Sequence, residues 1–395
     1  MNTALASGFV VVSVAFLAAC GSTTGESGAV NGGHASLDGR ALSDGGLVDS
    51  AAREEVAEPE RPNDRSIAGM YLHIQTRSLL NPSTAQEVSQ YVLGDSTCAG
   101  LSLLVPWSYV ETSRATYDYT NLEAILAPWR QAKKKIGFVF YSVSESPSWD
   151  VNGQYATPAY VLAQSSPAYC ADSGVDTDPV PTYWTAGFYD PWFSFIREVT
   201  SHYDQDSAIT YMRFGIATGG EEVFSGCYPT GLTQGIWQTY NLQVLGFYHT
   251  LNTSIQLDYP TNADPNDRSI NSLTNVLIRA ARCDEYGVMR GSQAWGKQYQ
   301  SYDGVYHYDS AAPYQVDATG HGIHHGQLAA DGPRGWKPDG YGTFPEMMSD
   351  ALKVGVTVFE VEQEVWSVAN NPQDENYASY GDAYRTTLAS VADAL

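Results

Sequence analysis

Positive charge is scarce in this chain. Of 395 residues only 21 are Lys or Arg, against 44 Asp or Glu, for a net charge of −23. A surface this acidic is repelled by phosphate backbones and anionic bilayers, which excludes nucleic acid and a bare membrane surface as partners. Charged residues of both signs together make up only 16%. Several signatures are missing as well. There is no Cys-x-x-Cys and no Cys/His spacing of a zinc site. There is no His-Glu-x-x-His, no Gly-x-Ser-x-Gly and no phosphate loop. No Gly-x-Gly-x-x-Gly follows the first strand-like segment, which argues against a doubly wound dinucleotide fold. His321, His324 and His325 crowd one stretch without a zinc motif's acid and read as a polar loop. No metal and no cofactor is expected.

The first residues also lack something. Met1 to Gly8 carry none of the Lys or Arg that usually open an export signal. The apolar run is nevertheless there, Phe9 to Ala19, too short to span a bilayer. It ends in Leu17-Ala18-Ala19-Cys20-Gly21, which resembles a bacterial lipobox. That resemblance implies cleavage before Cys20 and a lipid on its thiol. Residues 1–20 therefore read as an export signal. Residues 21–64, rich in Gly, Ser, Ala and acids with no apolar period, read as a flexible tether. The expected protein is a monomer at the cell envelope, touching membrane only through its anchor, or otherwise secreted. Export permits oxidation of the remaining cysteines. Cys170 and Cys227 fall in loop-like stretches after strands and are expected to pair. Cys98 and Cys283 sit beside strand starts and read as buried thiols.

What is abundant is apolar and aromatic. Hydrophobic residues reach 43%, with 27 Tyr and 9 Trp. Most of these rings must pack a core, but amphipathic rings also stack on sugar faces. From residue 65 to 395 strands alternate with helices. Strands are expected at 66–75, 99–107, 136–144, 208–217, 254–260, 287–295, 324–330 and 356–362. Helices are expected at 82–94, with Ser83 as N-cap, and at 121–135, 190–203, 233–251, 269–286, 343–355 and 374–395. Seven or eight such units predict an α/β fold, a single (β/α)8 TIM-type barrel with long βα loops.

Two stretches carry acids where a barrel puts its chemistry. In Tyr211–Glu222, YMRFGIATGGEE, Met212, Phe214 and Ile216 alternate with Tyr211, Arg213 and Gly215. Small residues follow, then Glu221 and Glu222. A parallel strand ending in a glycine turn and an acid suits the catalytic end of a barrel. In Val356–Glu364, alternation puts Val358, Glu360, Glu362 and Glu364 on one face and Thr357, Phe359 and Val361 on the other. Glu360 is expected nearest the strand's end. Acids stacked on one strand face repel one another and are costly to bury, so stability alone does not explain them. Two carboxylates across a cleft, with aromatic rings around them, are the equipment of glycoside hydrolysis. Glu221 is expected as acid/base and Glu360 as nucleophile or base, with Glu222 and Glu362 as their nearest substitutes. His73, Trp107, Trp149, Arg213, Gln293, Trp295 and Trp366 lie at strand ends or on the inner face, and with Glu222 and Glu362 they are the expected substrate contacts. Gln327 is a further hydrogen-bonding candidate.

The strand GLSLLVPW, then Glu111, then Tyr117-Asp118 before a helix, resemble the second and third units of barrel glycoside hydrolases of the β-galactosidase and cellulase type. SPSWDVNG (146–153) is similar to their Pro-x-Trp loop. The resemblance covers most of residues 66–222. It implies hydrolysis of an oligo- or polysaccharide. Where those enzymes carry Asn-Glu after the fourth strand, this chain has Gly220-Glu221, and Glu360 falls on the seventh or eighth strand. Whether the anomeric configuration is retained or inverted depends on carboxyl separation, roughly 5 Å against 6.5–9.5 Å. A different outcome of the same features is a carbohydrate-binding surface lipoprotein without chemistry.

Overall fold

The computed structural model describes residues 66–144, 155–168, 179–215, 217, 220, 228–260, 273–293, 321–326, 344–353 and 356–395. All belong to one unit, Pro59–Leu395. The chain opens with β1 (Gly69–Gln75), the short α1 (Thr76–Leu80) and α2 (Pro82–Tyr91). β2 (Cys98–Pro106) leads into one turn of helix, α3 (Trp107–Val110), and a small hairpin of β3 (Glu111–Ser113) and β4 (Thr116–Tyr117). Then come α4 (Thr120–Gln131), β5 (Lys135–Tyr141), α5 (Ala159–Leu162), α6 (Ala186–Tyr203) and β6 (Ile209–Phe214). α7 (Gln234–Thr250), β7 (Gln256–Pro260), α8 (Leu273–Tyr286), β8 (Met289–Gln293) and β9 (His321–Gly326) follow. The chain finishes with α9 (Phe344–Lys353), β10 (Val356–Glu362), α10 (Gln363–Asn370) and α11 (Tyr377–Ala394).

Eight parallel strands close into a barrel in the order β1-β10-β9-β8-β7-β6-β5-β2. β10 seals it against β1, with Tyr71 opposite Glu360 and His73 opposite Glu362. The expected barrel is therefore the observed one, and β10 is its eighth strand. The alternation read from the sequence sets the two faces. Met212 and Phe214 on β6, and Phe359 and Val361 on β10, join the large core between sheet and helices. Tyr211, Met289 and Val358 turn inward and pack with Tyr71 inside the barrel.

Four expectations need correction. The N-cap of α2 is Asn81, whose side chain accepts from the Ser83 amide at 3.0 Å, so Ser83 is inside the helix. A residue before Pro82 is held extended, as a cap requires. His321, His324 and His325 stand on the strand β9, three residues earlier than the strand placed at 324–330, and not in a loop. α10 was not expected: it starts directly at Gln363, and Glu364 lies in its first turn, where the helix dipole favours an acid. Glu360 is not nearest the end of its strand, since β10 runs on to Glu362. Among the described residues Cys98 and Cys283 are buried free thiols, as expected. The pairing of Cys170 with Cys227, and the lipidated Cys20, lie outside the described residues.

Candidate active site

Two glycines decide how close side chains come in the upper barrel. Gly137, inward on β5, leaves room for a ring: a methyl there would meet Tyr211 Cζ at 2.1 Å. The Tyr211 ring lies in that space and its hydroxyl reaches Glu360 Oε1 at 2.8 Å. Gly220 has φ +86°, a conformation glycine adopts without cost. A methyl on it would meet Val139 Cγ1 at 2.5 Å, with Tyr141 Cβ at 3.8 Å. Val139 and Tyr141 are inner-face residues of β5, clustered with Leu104 and Ala156. Gly220 thus lies against the inner face of β5.

Glu360 is the centre of the polar interior. Ser102 Oγ donates to its Oε1 at 2.5 Å, Tyr211 OH to the same oxygen at 2.8 Å, and Arg213 Nη2 to Oε2 at 3.1 Å. His73 Nδ1 stands 3.5 Å from Oε2 and 3.2 Å from Ser102 Oγ. Arg213 also faces Asp258 Oδ2 at 3.7 Å. All of these side chains are buried, Glu360 to 1% exposure. Three donors, one of them a guanidinium, suit the ionised carboxylate. Burial, and then the charge of Glu360, push the Tyr211 phenol well above its ordinary value, so it stays a donor. A charge in the interior survives only when paired and hydrogen-bonded, and this network supplies both.

The inner face is two-sided. Leu104, Val139, Tyr141 and Ala156 make an apolar patch over β2 and β5. The segment carrying Ala156 is tied down there: Thr157 Oγ1 donates to Ser142 O at 2.5 Å and Ser108 Oγ to Tyr155 O at 2.6 Å. Tyr160 OH donates to Glu111 Oε1 at 2.7 Å, and Glu111 Oε2 accepts from Trp107 Nε1 at 2.7 Å. His73, Arg213, Asp258 and Glu360 occupy the opposite, charged side.

The expected site residues divide accordingly. His73, Arg213 and Glu360 come together. Glu362 closes β10 on the same face and is half-buried, one step nearer the mouth. Gln293 ends β8. Trp107 and Trp366 do not serve as sugar platforms. Trp107 is fully buried against Phe188, Trp192 and Phe195, because Pro106 ends β2 and the turn of α3 points the ring under α6. Trp366 is fully buried in α10, its Nε1 donating to Val361 O at 3.2 Å. Glu221, Glu222, Trp149, Trp295 and Gln327 lie outside the described residues. Ser102, Tyr211 and Asp258 were missed. For Ser102 the signal was available: it is a polar group at an inward position of an otherwise apolar strand.

A separate groove of about 550 Å³, lined by Tyr91, Asp95, Asn370 and Arg385, lies where β2 begins, at the end of the barrel opposite these acids.

No protein-family model matches the chain, and no curated protein sequence does. Solved structures do. The catalytic domain of a β-amylase from Paenibacillus polymyxa superposes with a TM-score of 0.51 at 9% identity, over 80% of this chain and 97% of that one. A glycosylated endo-β-1,4-xylanase of glycoside hydrolase family 10 from Gloeophyllum trabeum gives 0.42 at 11% identity, over 85% and 83%. A β-galactosidase from Bacillus circulans sp. alkalophilus gives 0.41 at 9% identity, over 83% of this chain and 56% of that one. At such identities only the fold is shared, and the chain has the (β/α)8 barrel of the β-amylase catalytic domain.

Proposed function

We propose that the protein is a glycoside hydrolase acting on an oligo- or polysaccharide, exported and anchored through Cys20. Glu221 serves as acid/base and Glu360 as nucleophile or base. One observation supports the reading: Gly220, the residue before Glu221 in the sequence, lies against Val139 on the inner face of β5, inside the barrel whose interior also holds Glu360. On this reading two acids far apart in sequence work from one barrel mouth. The solved β-amylase catalytic domain with this architecture supports the substrate class.

In this mechanism Glu221 protonates the leaving oxygen and the β10 carboxylate meets the sugar carbon or the water that attacks it. Arg213, Tyr211 and Ser102 hold that carboxylate ionised. The enclosure of Glu360 sets a condition, because Ser102, Tyr211 and Arg213 already occupy its oxygens and the sugar must arrive past Glu362. The same enclosure favours a second assignment, in which Glu362, half-buried at the strand's end, is the carboxylate that touches substrate.

The test is a screen of the purified protein against a panel of polysaccharides, followed by Glu221→Gln, Glu360→Gln and Glu362→Gln on any substrate accepted. Glu221→Gln and Glu360→Gln should each lower turnover by ~10²–10⁴ with binding kept. A loss concentrated in Glu362→Gln transfers the role to that residue. Sugar binding without turnover, unchanged by all three, identifies a binding protein instead.

A further inference from the structure

Ser102 stands between two titratable side chains and has one proton to give. Its Oγ is 2.5 Å from Glu360 Oε1 and 3.2 Å from His73 Nδ1. The short contact fixes the direction. Glu360 accepts from Tyr211 and Arg213 on its other contacts and acts here only as an acceptor, so the Ser102 proton goes to Oε1. Ser102 Oγ then meets His73 with a lone pair, which requires a proton on Nδ1. A directed chain results, His73 Nδ1–H to Ser102 Oγ–H to Glu360 Oε1.

All three side chains are shielded from solvent, with exposures of 3%, 0% and 1% for His73, Ser102 and Glu360. His73 Nδ1 faces Glu360 Oε2 directly only at 3.5 Å, while the path through Ser102 is joined at 3.2 and 2.5 Å. We propose that His73 and Glu360 exchange a proton through Ser102, so that the charge on Glu360 is set from His73. The balance is simple. With His73 as imidazolium, Nδ1 passes its proton to Ser102 Oγ while Ser102 passes its own to Oε1. The products are a neutral His73 protonated on Nε2 and a Glu360 carboxylic acid. The reverse exchange restores imidazolium and carboxylate. Groups this close titrate as a pair and not singly.

Other charges around the relay bias it. Arg213 on β6 favours the carboxylate, and Asp258 on β7 offsets part of that cation. Tyr211 on β6 and Tyr71 on β1 stay neutral, both raised by burial. Glu362 on β10 is opposite His73 in register and favours its protonated form. His73 and Ser102 are positioning residues in this scheme. Its consequence for turnover rests on the hydrolase reading; its geometry does not.

The two are separated by measuring both. In protein labelled with ¹⁵N-histidine, with His73 assigned through His73→Gln, His73 should carry its proton on Nδ1 at the alkaline end of its titration, where His73 is neutral and Glu360 is a carboxylate. Glu360→Gln should lower the pH at which His73 titrates, because a neighbouring carboxylate is lost. An Nε2–H tautomer at that alkaline end, or a titration indifferent to Glu360→Gln, overturns the relay whatever the enzyme does. On an accepted glycoside, Ser102→Ala should lower kcat at least about tenfold and shift a limb of the pH profile, with Ser102→Thr restoring both. A wild-type kcat and profile in Ser102→Ala also overturn it. If no glycoside is hydrolysed yet the NMR results hold, the hydrolase reading fails and the coupled pair stands.

Discussion

Tyr211 and Glu360 are 149 positions apart in the chain and meet as hydroxyl and carboxylate at 2.8 Å inside the barrel. The contact depends on a missing side chain, since Gly137 vacates the space the phenol ring fills. Gly137→Ala should therefore act at a distance of two strands. Overpacking of this kind costs about 1–3 kcal/mol. The displaced ring should also release Glu360, so part of that cost is the lost hydrogen bond to a charge, about 1.5–3 kcal/mol by itself. Urea unfolding of Gly137→Ala, Tyr211→Phe and the double variant checks this. The two losses should be less than additive, because the glycine acts through the tyrosine. Full additivity would separate them.

Arg213 is shared by two buried acids, Glu360 at 3.1 Å and Asp258 at 3.7 Å. Arg213→Met leaves both without their cation. Breaking a buried pair from one side costs about 3–5 kcal/mol, chiefly through the charge left behind. Adding Glu360→Gln should recover part of the loss, because a neutral amide needs no counter-charge. Denaturant midpoints of the single and double variants decide it. A double variant no more stable than Arg213→Met would mean that Glu360 is not the charge Arg213 serves.

How much of this could be read from the chain depends on what periodicity carries. Alternation gives the face of a strand, and it placed Arg213 inward and Phe214 outward on β6 correctly. It gives no depth. Whether Glu360 or Glu362 lies at the mouth follows from register, with Tyr71 opposite one and His73 opposite the other, and register is a tertiary property. The same limit governs Trp107. Its place after Pro106 marks a strand end, but the ring's direction is decided by the turn of α3 and the aromatic bed of α6. Ser102 was legible in principle, as the single polar residue in the apolar run GLSLLVP. The barrel itself was the easiest part, because strands alternating with amphipathic helices along most of the chain have few other ways to bury both faces of a sheet.

Trp107 offers a clean separation of packing from binding. Its ring centroid lies 4.9 Å from Trp192, 5.6 Å from Phe195 and 5.8 Å from Phe188, and its Nε1 holds Glu111. Trp107→Ala should cost about 3–5 kcal/mol, the usual range for a large buried ring. Trp107→Phe, which keeps the aromatic contacts, should cost less while leaving sugar affinity at the wild-type level. Calorimetric binding of an accepted oligosaccharide to Trp107→Phe is the deciding measurement. A large loss of affinity in a stably folded variant would return the ring to the binding site.

Alkali should unfold this protein through its buried phenols. Tyr211, Tyr240 and Tyr248 are held well above the ordinary tyrosine value, in each case first by burial. Above about pH 10 an unfolded tyrosine loses its proton while these three keep theirs. The folded state then binds more protons than the unfolded one, so stability falls as pH rises. It is fully present below about pH 10 and declines above it by up to about 1.4 kcal/mol per pH unit for each such group. Tyr240 isolates one share. Its hydroxyl is buried with no hydrogen-bond partner among the described residues, so Tyr240→Phe should be neutral or slightly stabilising at pH 7. Between pH 10 and 11.5 the same variant should lose stability less steeply than the wild type, by about one group's slope. Urea titrations across that window measure the difference. Parallel slopes for variant and wild type would show that Tyr240 ionises in the folded protein as readily as in the unfolded chain.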